Sequence, residues 1–97
     1  MLPVDYLPAA RHDFDESFDW YSERSTQAAL RFANAVDTAV AQIVAHPTRY
    51  ASADGIHREF PLKKFPFRIV YRLVENRVLV VAISHAKRRP GFWIGRA

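Results

Sequence analysis

The sequence predicts an α+β fold with an N-terminal edge strand and an antiparallel helical hairpin packed on a twisted antiparallel β-sheet. Residues 8–46 carry apolar side chains at helical spacing in two successive runs. Residues 57–84 contain three segments with the composition of strands. The 97 residues are enough for one domain, 1–97, with one modest core.

The first half of the chain predicts a short strand and one helix. Residues 4–7 form the edge strand, and Pro8 suits the first turn of a helix, where its missing N–H costs nothing. We expect this helix over residues 8–24. Its apolar face consists of Ala10, Phe14, Phe18 and Tyr21.

A second helix follows almost immediately. Ser25 and Thr26 provide a hydroxyl that can cap a new first turn, and Pro47 disfavours helical geometry at His46. Two helices joined so closely must pack antiparallel. The apolar stripe of the second helix comprises Ala28, Phe32, Val36, Ala39, Val40 and Ile43.

The remainder predicts a loop over residues 47–56 and strands over 57–62, 67–73 and 78–84, with a two-residue turn at Glu75 and Asn76. This turn pairs residue 74 with 77, 72 with 79, 70 with 81 and 68 with 83. Alternation then places one apolar set toward the helices: Phe67, Ile69, Tyr71, Leu73, Val78, Val80 and Ala82. The opposite face, which we expect to be open to a partner, carries Arg68, Val70, Arg72, Leu79, Val81, Ile83 and His85.

Charge divides the chain unevenly. Residues 1–50 have a balance of −3 and residues 51–97 a balance of +7, so the second half is suited to an anionic partner, although a merely solvated basic surface remains an alternative. The chain has no cysteine, no signal-peptide pattern and no apolar run long enough to span a bilayer. We therefore expect a cytoplasmic protein without a membrane partner, metal or other cofactor.

Cationic and aromatic side chains near the last two strands are the candidate site. The expected binding residues, for a partner protein or a target, are Arg68, Arg72, His85, Arg88, Arg89, Phe92 and Trp93. If the chain is a nuclease, the candidate catalytic residues are Lys63, Lys64, Arg68, His85 and Arg88, because a base and several cations can activate a ribose hydroxyl and stabilise the charge that develops on phosphate. Solvated loop charges and a strand-capping histidine are the simpler interpretations.

The order of motifs resembles the RelE/ParE superfamily of toxins over nearly the whole chain. The similarity comprises Trp20-Tyr21, Ala29, Phe32, Pro47, Arg58, the run Phe65-Pro66-Phe67-Arg68-Ile69-Val70-Tyr71, and the ending from His85 to Trp93. The resemblance implies a growth-inhibiting toxin of a type II toxin–antitoxin (plasmid stabilisation) system. It also implies a cognate antitoxin and a toxin–antitoxin hetero-oligomer.

The resemblance leaves two activities open. ParE-like members poison DNA gyrase and are not hydrolases, whereas RelE-like members cleave mRNA in the ribosome. The ending offers Phe92 and Trp93 but no tyrosine of the kind RelE-like toxins place near the mRNA, which favours the ParE-like interpretation. Whether the chain is an enzyme therefore stays open, and an inactive toxin-like binding module is a third alternative.

Overall fold

A computed structural model describes residues 2–52 and 54–96. Residue 53 of the predicted loop and residues 1 and 97 of the predicted domain lie outside this range. The elements are β1 (Val4–Tyr6), α1 (Pro8–Arg24), α2 (Thr26–Ala45), β2 (Arg58–Pro61), β3 (Phe67–Val74) and β4 (Arg77–His85). The α+β architecture is confirmed: two helices cover one face of a four-stranded sheet.

The helical hairpin forms where the sequence predicts it. Ser25 has extended backbone angles, and its hydroxyl accepts a hydrogen bond from the Ala28 amide at 3.2 Å, so it ends α1 and caps α2. At the other end, the His46 amide donates to Gln42 and Ile43 carbonyls before Pro47. The break between the helices is thus built from one serine.

The strand order is β1-β4-β3-β2. Strands β2, β3 and β4 are antiparallel neighbours as predicted, and β1 is an edge strand as predicted. It runs parallel to β4, so the four-stranded sheet is mixed. A parallel neighbour requires a long crossover connection. Here the helical hairpin, β2 and β3 all intervene between β1 and β4.

The turn between β3 and β4 is confirmed, while the predicted register holds for only half of the hairpin. Glu75 and Asn76 have positive φ angles of 48° and 61°, as the tightest hairpin turns require. Residues 71–74 pair with 77–80 as expected. Beyond Tyr71 the pairing shifts by one, so that Val70 lies opposite Ala82.

The shift is a β-bulge in which Val81 is the additional residue. After the bulge, each side chain of β4 lies on the face opposite to the predicted one. Ala82 thus lies away from the helices and Ile83 lies toward them. The alternation predicted for residues 82–85 is therefore wrong, whereas Val81 lies on the predicted face with Val70. Residues 78–83 are apolar throughout, so either register buries apolar side chains, and the sequence pattern alone cannot reveal the bulge.

Phe32 is at the centre of the core between the helices and the sheet. Its side chain is fully buried, and its ring lies 5.6 Å from Phe14, 5.3 Å from Tyr21, 5.7 Å from Phe65 and 5.1 Å from Phe67, measured between centroids. Such aromatic pairs contribute about 0.5–1.5 kcal/mol each beyond their burial. Phe32 therefore joins both helices to β3 and to the loop before it.

Tyr71 ties the sheet to the chain that leaves α2. Its hydroxyl donates to the Pro47 carbonyl at 2.7 Å, and burial raises the pKa of Tyr71 from 10.0 to about 12, although the nearby Arg58 guanidinium acts in the opposite direction. Arg58 itself donates to the carbonyls of Thr48 and Tyr50. The loop after α2 is thereby held against β2 and β3.

We expect Tyr71→Phe to lower the free energy of unfolding by about 1 kcal/mol at neutral pH, because the partly buried Pro47 carbonyl loses its donor. Because the folded-state pKa of Tyr71 is raised, its contribution is complete below pH 10.0 and is lost as the pH rises through about 12. Urea unfolding at pH 7 and pH 11 measures both effects.

Tyr50→Phe, which removes a phenol from the same loop, is the control for this comparison. Tyr6 and Tyr21 also have pKa values raised by burial, so the alkaline loss of stability should shrink in Tyr71→Phe and not vanish. An undiminished alkaline loss in Tyr71→Phe would contradict the assignment.

Candidate functional site

The C-terminal segment, residues 90–96, covers the sheet face that does not contact the helices. Trp93 is buried against Val70, Val81 and Ala82, and Phe92 packs at the edge of this cluster. The expectation of an open mixed face is therefore wrong for its centre. The prediction missed this cover because an aromatic pair after Pro90-Gly91 reads equally well as an exposed tail.

Arg96 and Asp13 hold this segment in place at the bulge. The Arg96 guanidinium donates to Asp13 Oδ2 at 2.8 Å and to the Val81 carbonyl at 2.9 Å. Asp13 Oδ2 also accepts from the Ile83 amide at 3.1 Å. Since β1 extends along β4 only as far as Val80, these two side chains take the place of a neighbouring strand.

The predicted arginines lie around the covered face. Arg68 is exposed, pairs with Ser84 across the strands, and lies on the side opposite the helices. The Arg88 guanidinium lies 3.9 Å from the Phe92 ring centroid, as in a cation–π contact. Arg89 is exposed beside it. We refer to the exposed cations Arg68, Arg88 and Arg89 as the outer cationic surface.

Two buried donors on this side have no acceptor within the described residues. They are Nε of Arg72, a partly buried side chain, and Nε1 of Trp93. Buried donors in proteins are nearly always satisfied. The exposed guanidinium groups of the outer cationic surface are the accessible donors here, and they favour a partner rich in hydrogen-bond acceptors.

His85 lies on the helix side of the sheet, which corrects the prediction that it faces outward with Arg68. The bulge places it opposite Phe67, and the two rings meet edge to face at 4.9 Å. Its Nδ1 accepts from the Lys87 amide at 3.0 Å, so a neutral ring carries its proton on Nε2. His85 lines a groove with Trp20 of α1.

Lys63 and Lys64 lie in the turn between β2 and β3 and line a different groove, against α2. The candidate nuclease residues are thus divided among three places: Lys63 and Lys64 beside α2, His85 beside α1, and Arg68 with Arg88 on the opposite side of the sheet. Acid–base catalysis requires its groups within hydrogen-bond reach of one substrate. This structure does not gather the five side chains into one cleft.

Three residues of these surfaces were not predicted from the sequence: Asp13, Arg96 and Arg31. The many acidic residues of α1 are typical of a solvated helix face, but Asp13 among them is only 8% exposed. Arg31 belongs to a polar and small stripe on α2 that follows helical spacing, namely Arg31, Asn34, Ala35, Thr38, Ala39 and Gln42. The helical spacing of these residues could have predicted that they share one face of α2. The pairing of Asp13 with Arg96 has no such local pattern.

Comparison with known proteins agrees with this architecture. The family model "ParE toxin of type II toxin-antitoxin system, parDE" matches residues 4–90. A solved structure, "Chromosomal ParDE TA system from P. aeruginosa", superposes with a TM-score of 0.75 and 20% identity, covering 88% of this chain and 96% of that one. At this identity, the superposition supports the fold. No curated protein sequence gives a significant match.

The helical hairpin on a four-stranded sheet, together with the family match, shows that the chain is a toxin of the RelE/ParE superfamily. Within that superfamily, the chain belongs to the ParE toxin family of type II toxin–antitoxin systems, because the family model covers most of its length.

Two further properties concern the described residues. No helix among them is both long and apolar enough to cross a membrane. Within residues 2–52 and 54–96, no three acidic or histidine side chains come together as a metal site would need.

We expect Asp13→Ala to lower the free energy of unfolding by about 2–4 kcal/mol, because it leaves a largely buried guanidinium and the Ile83 amide without their acceptor. Chemical denaturation measures this loss, and Asp15→Ala, an exposed acid on the same helix, should change stability by less than about 0.5 kcal/mol. Equal stability of the two variants would show that the pair with Arg96 contributes little.

Proposed function

We propose that this chain is the toxin of a type II toxin–antitoxin system, that it inhibits growth by poisoning DNA gyrase on DNA, and that a cognate antitoxin neutralises it in a hetero-oligomer. Membership in the ParE family is the observation that carries this proposal. In this proposal the protein acts by binding and is not a hydrolase.

The outer cationic surface supports a DNA-bound target. Guanidinium groups form charge-assisted and often bidentate hydrogen bonds with phosphate oxygens. Arg68 is exposed on the side of the sheet opposite the helices, and Arg88 is held against Phe92. Arg89, also exposed, is the next residue along the chain. We propose that these three arginines contact the DNA held by gyrase.

In this proposal, Phe92 and Trp93 have a structural role and do not contact the target. Trp93 is 8% exposed, and Phe92 lies between Arg88 and Arg96, whose guanidinium carbons are 3.9 Å and 5.0 Å from its ring centroid. A buried indole cannot stack on a base. Phe92 and Trp93 therefore act by fixing the segment that positions Arg88 and Arg89.

We expect the purified chain to inhibit gyrase supercoiling, and we expect Arg68→Glu/Arg89→Glu to weaken inhibition at least about tenfold, since charge reversal opposes the phosphates. The control is Arg49→Glu/Lys87→Glu, which changes the net charge by the same amount at exposed positions outside the outer cationic surface. This variant should inhibit gyrase as strongly as the wild type does. Supercoiling assays measure the inhibition by each variant, and circular dichroism checks that each variant is folded.

Expression without antitoxin in living cells separates the alternatives. Unimpaired supercoiling at excess protein, with growth arrest and new mRNA 5′ ends in the ribosomal A site, would replace the gyrase proposal with ribosome-dependent cleavage. Normal growth together with unimpaired supercoiling would show that the chain is an inactive binding module.

A further inference from the structure

Ile94 is an exposed apolar side chain in the segment that covers the outer face of the sheet. Its exposure of 66% is the highest among the exposed large apolar side chains of the described residues. The surrounding residues form successive turns, in which glycine, proline and short polar residues are the usual choices. An isoleucine pointing into solvent is therefore not required by the local chain geometry.

Contacts on both sides of Ile94 fix its position. Trp93 is buried against the sheet, and its carbonyl accepts from the Arg96 amide at 2.9 Å. The Arg96 guanidinium is in turn bonded to Asp13. The Ile94 amide donates to the Gly91 carbonyl at 3.0 Å. A side chain on a backbone held in this way loses little conformational freedom when it binds a partner.

Gly91 supports one flank of the Ile94 side chain. The φ angle of Gly91 is 77°, in the left-handed region that favours glycine. A β-carbon at this position would lie only 3.1 Å from Ile94 Cδ1, closer than the optimum separation of two carbon atoms. The isoleucine thus rests on the glycine backbone, and the remainder of its side chain is exposed.

Arginines lie along the chain on both sides of Ile94. Residues 88–97 contain three arginines and no acidic residue, and two of the three, Arg88 and Arg89, belong to the outer cationic surface. Duplex DNA carries phosphates on both sides of its stacked bases. Several proteins that bend DNA bind it by inserting an apolar side chain, isoleucine among them, between two base pairs from the minor groove.

We propose that Ile94 inserts between two base pairs of duplex DNA from the minor groove, while Arg88 and Arg89 contact the flanking phosphates. The insertion partly unstacks one base step and kinks the duplex. The expected site is a pyrimidine–purine step such as TA, which kinks more easily than an A-tract. The choice of DNA rests on the function proposed above, whereas the insertion rests on the exposure and support of Ile94.

A fluorescent duplex tests this inference with the full chain and without gyrase. The probe is a short DNA duplex whose central TA step carries 2-aminopurine in place of the adenine, because the fluorescence of this base increases when it unstacks. The chain should raise the fluorescence at low salt. A duplex with the same 2-aminopurine inside an A-tract should show less than about half of this increase, because the A-tract is stiff.

Three variants locate the insertion. Ile94→Ala should still bind the duplex in an anisotropy measurement, because every arginine remains, but its fluorescence increase should be at least about fivefold smaller. Ile94→Met keeps an apolar side chain and should restore the increase. Ile56→Ala is the matched control, because Ile56 is 61% exposed in the loop before β2. This variant should unstack the duplex as the wild type does.

Each outcome decides the assignment. A wild-type chain that does not raise the fluorescence, an increase that Ile94→Ala retains, or one that Ile56→Ala also loses overturns it. Self-association that Ile94→Ala abolishes overturns it as well, because a second copy would then cover the side chain. Since gyrase is absent from this measurement, unstacking with unimpaired supercoiling refutes only the target proposed above. Inhibition of supercoiling without unstacking refutes only the insertion.

Discussion

The ion pair between Asp13 and Arg96 is the contact on which both layers of this protein depend. It joins the start of α1 to the C-terminal segment across the open edge of β4. Because β1 ends opposite Val80, the Val81 carbonyl and the Ile83 amide have no strand partner on that edge of β4, and this ion pair satisfies both. Buried ion pairs need such additional hydrogen bonds to offset the cost of removing two charges from water.

The same contact decides which sheet surface is accessible. With Arg96 held at β4, Trp93 lies over Val70 and Ala82 and the apolar centre of the outer face is closed. What remains exposed is a rim of guanidinium groups together with Ile94 of the covering segment. A surface that the sequence presents as half apolar and half cationic therefore becomes mainly cationic, which suits phosphate better than an apolar partner.

Local signals were sufficient for the helices, the strands and the hairpin turn. Pro8, Ser25 and Pro47 mark helix ends through backbone chemistry that does not depend on the rest of the fold. The turn at Glu75 and Asn76 likewise follows from a short polar interruption between two segments rich in β-branched and aromatic residues. The turn consequently determined the register of the four nearest residue pairs correctly.

The candidate site was less predictable because its residues meet through long-range contacts. Arg68 follows from strand alternation, and its side of the sheet was predicted correctly. His85 lies beyond the bulge, where one additional residue reverses every face. Asp13 and Arg96 are 83 residues apart, and neither has a local pattern that identifies its partner.

The position of Arg68 constrains how neutralisation could work. Its exposed guanidinium group lies on the side of the sheet opposite the helices. An antitoxin that blocks contact between this group and DNA must therefore reach that side of the sheet and bring a hydrogen-bond acceptor for Arg68.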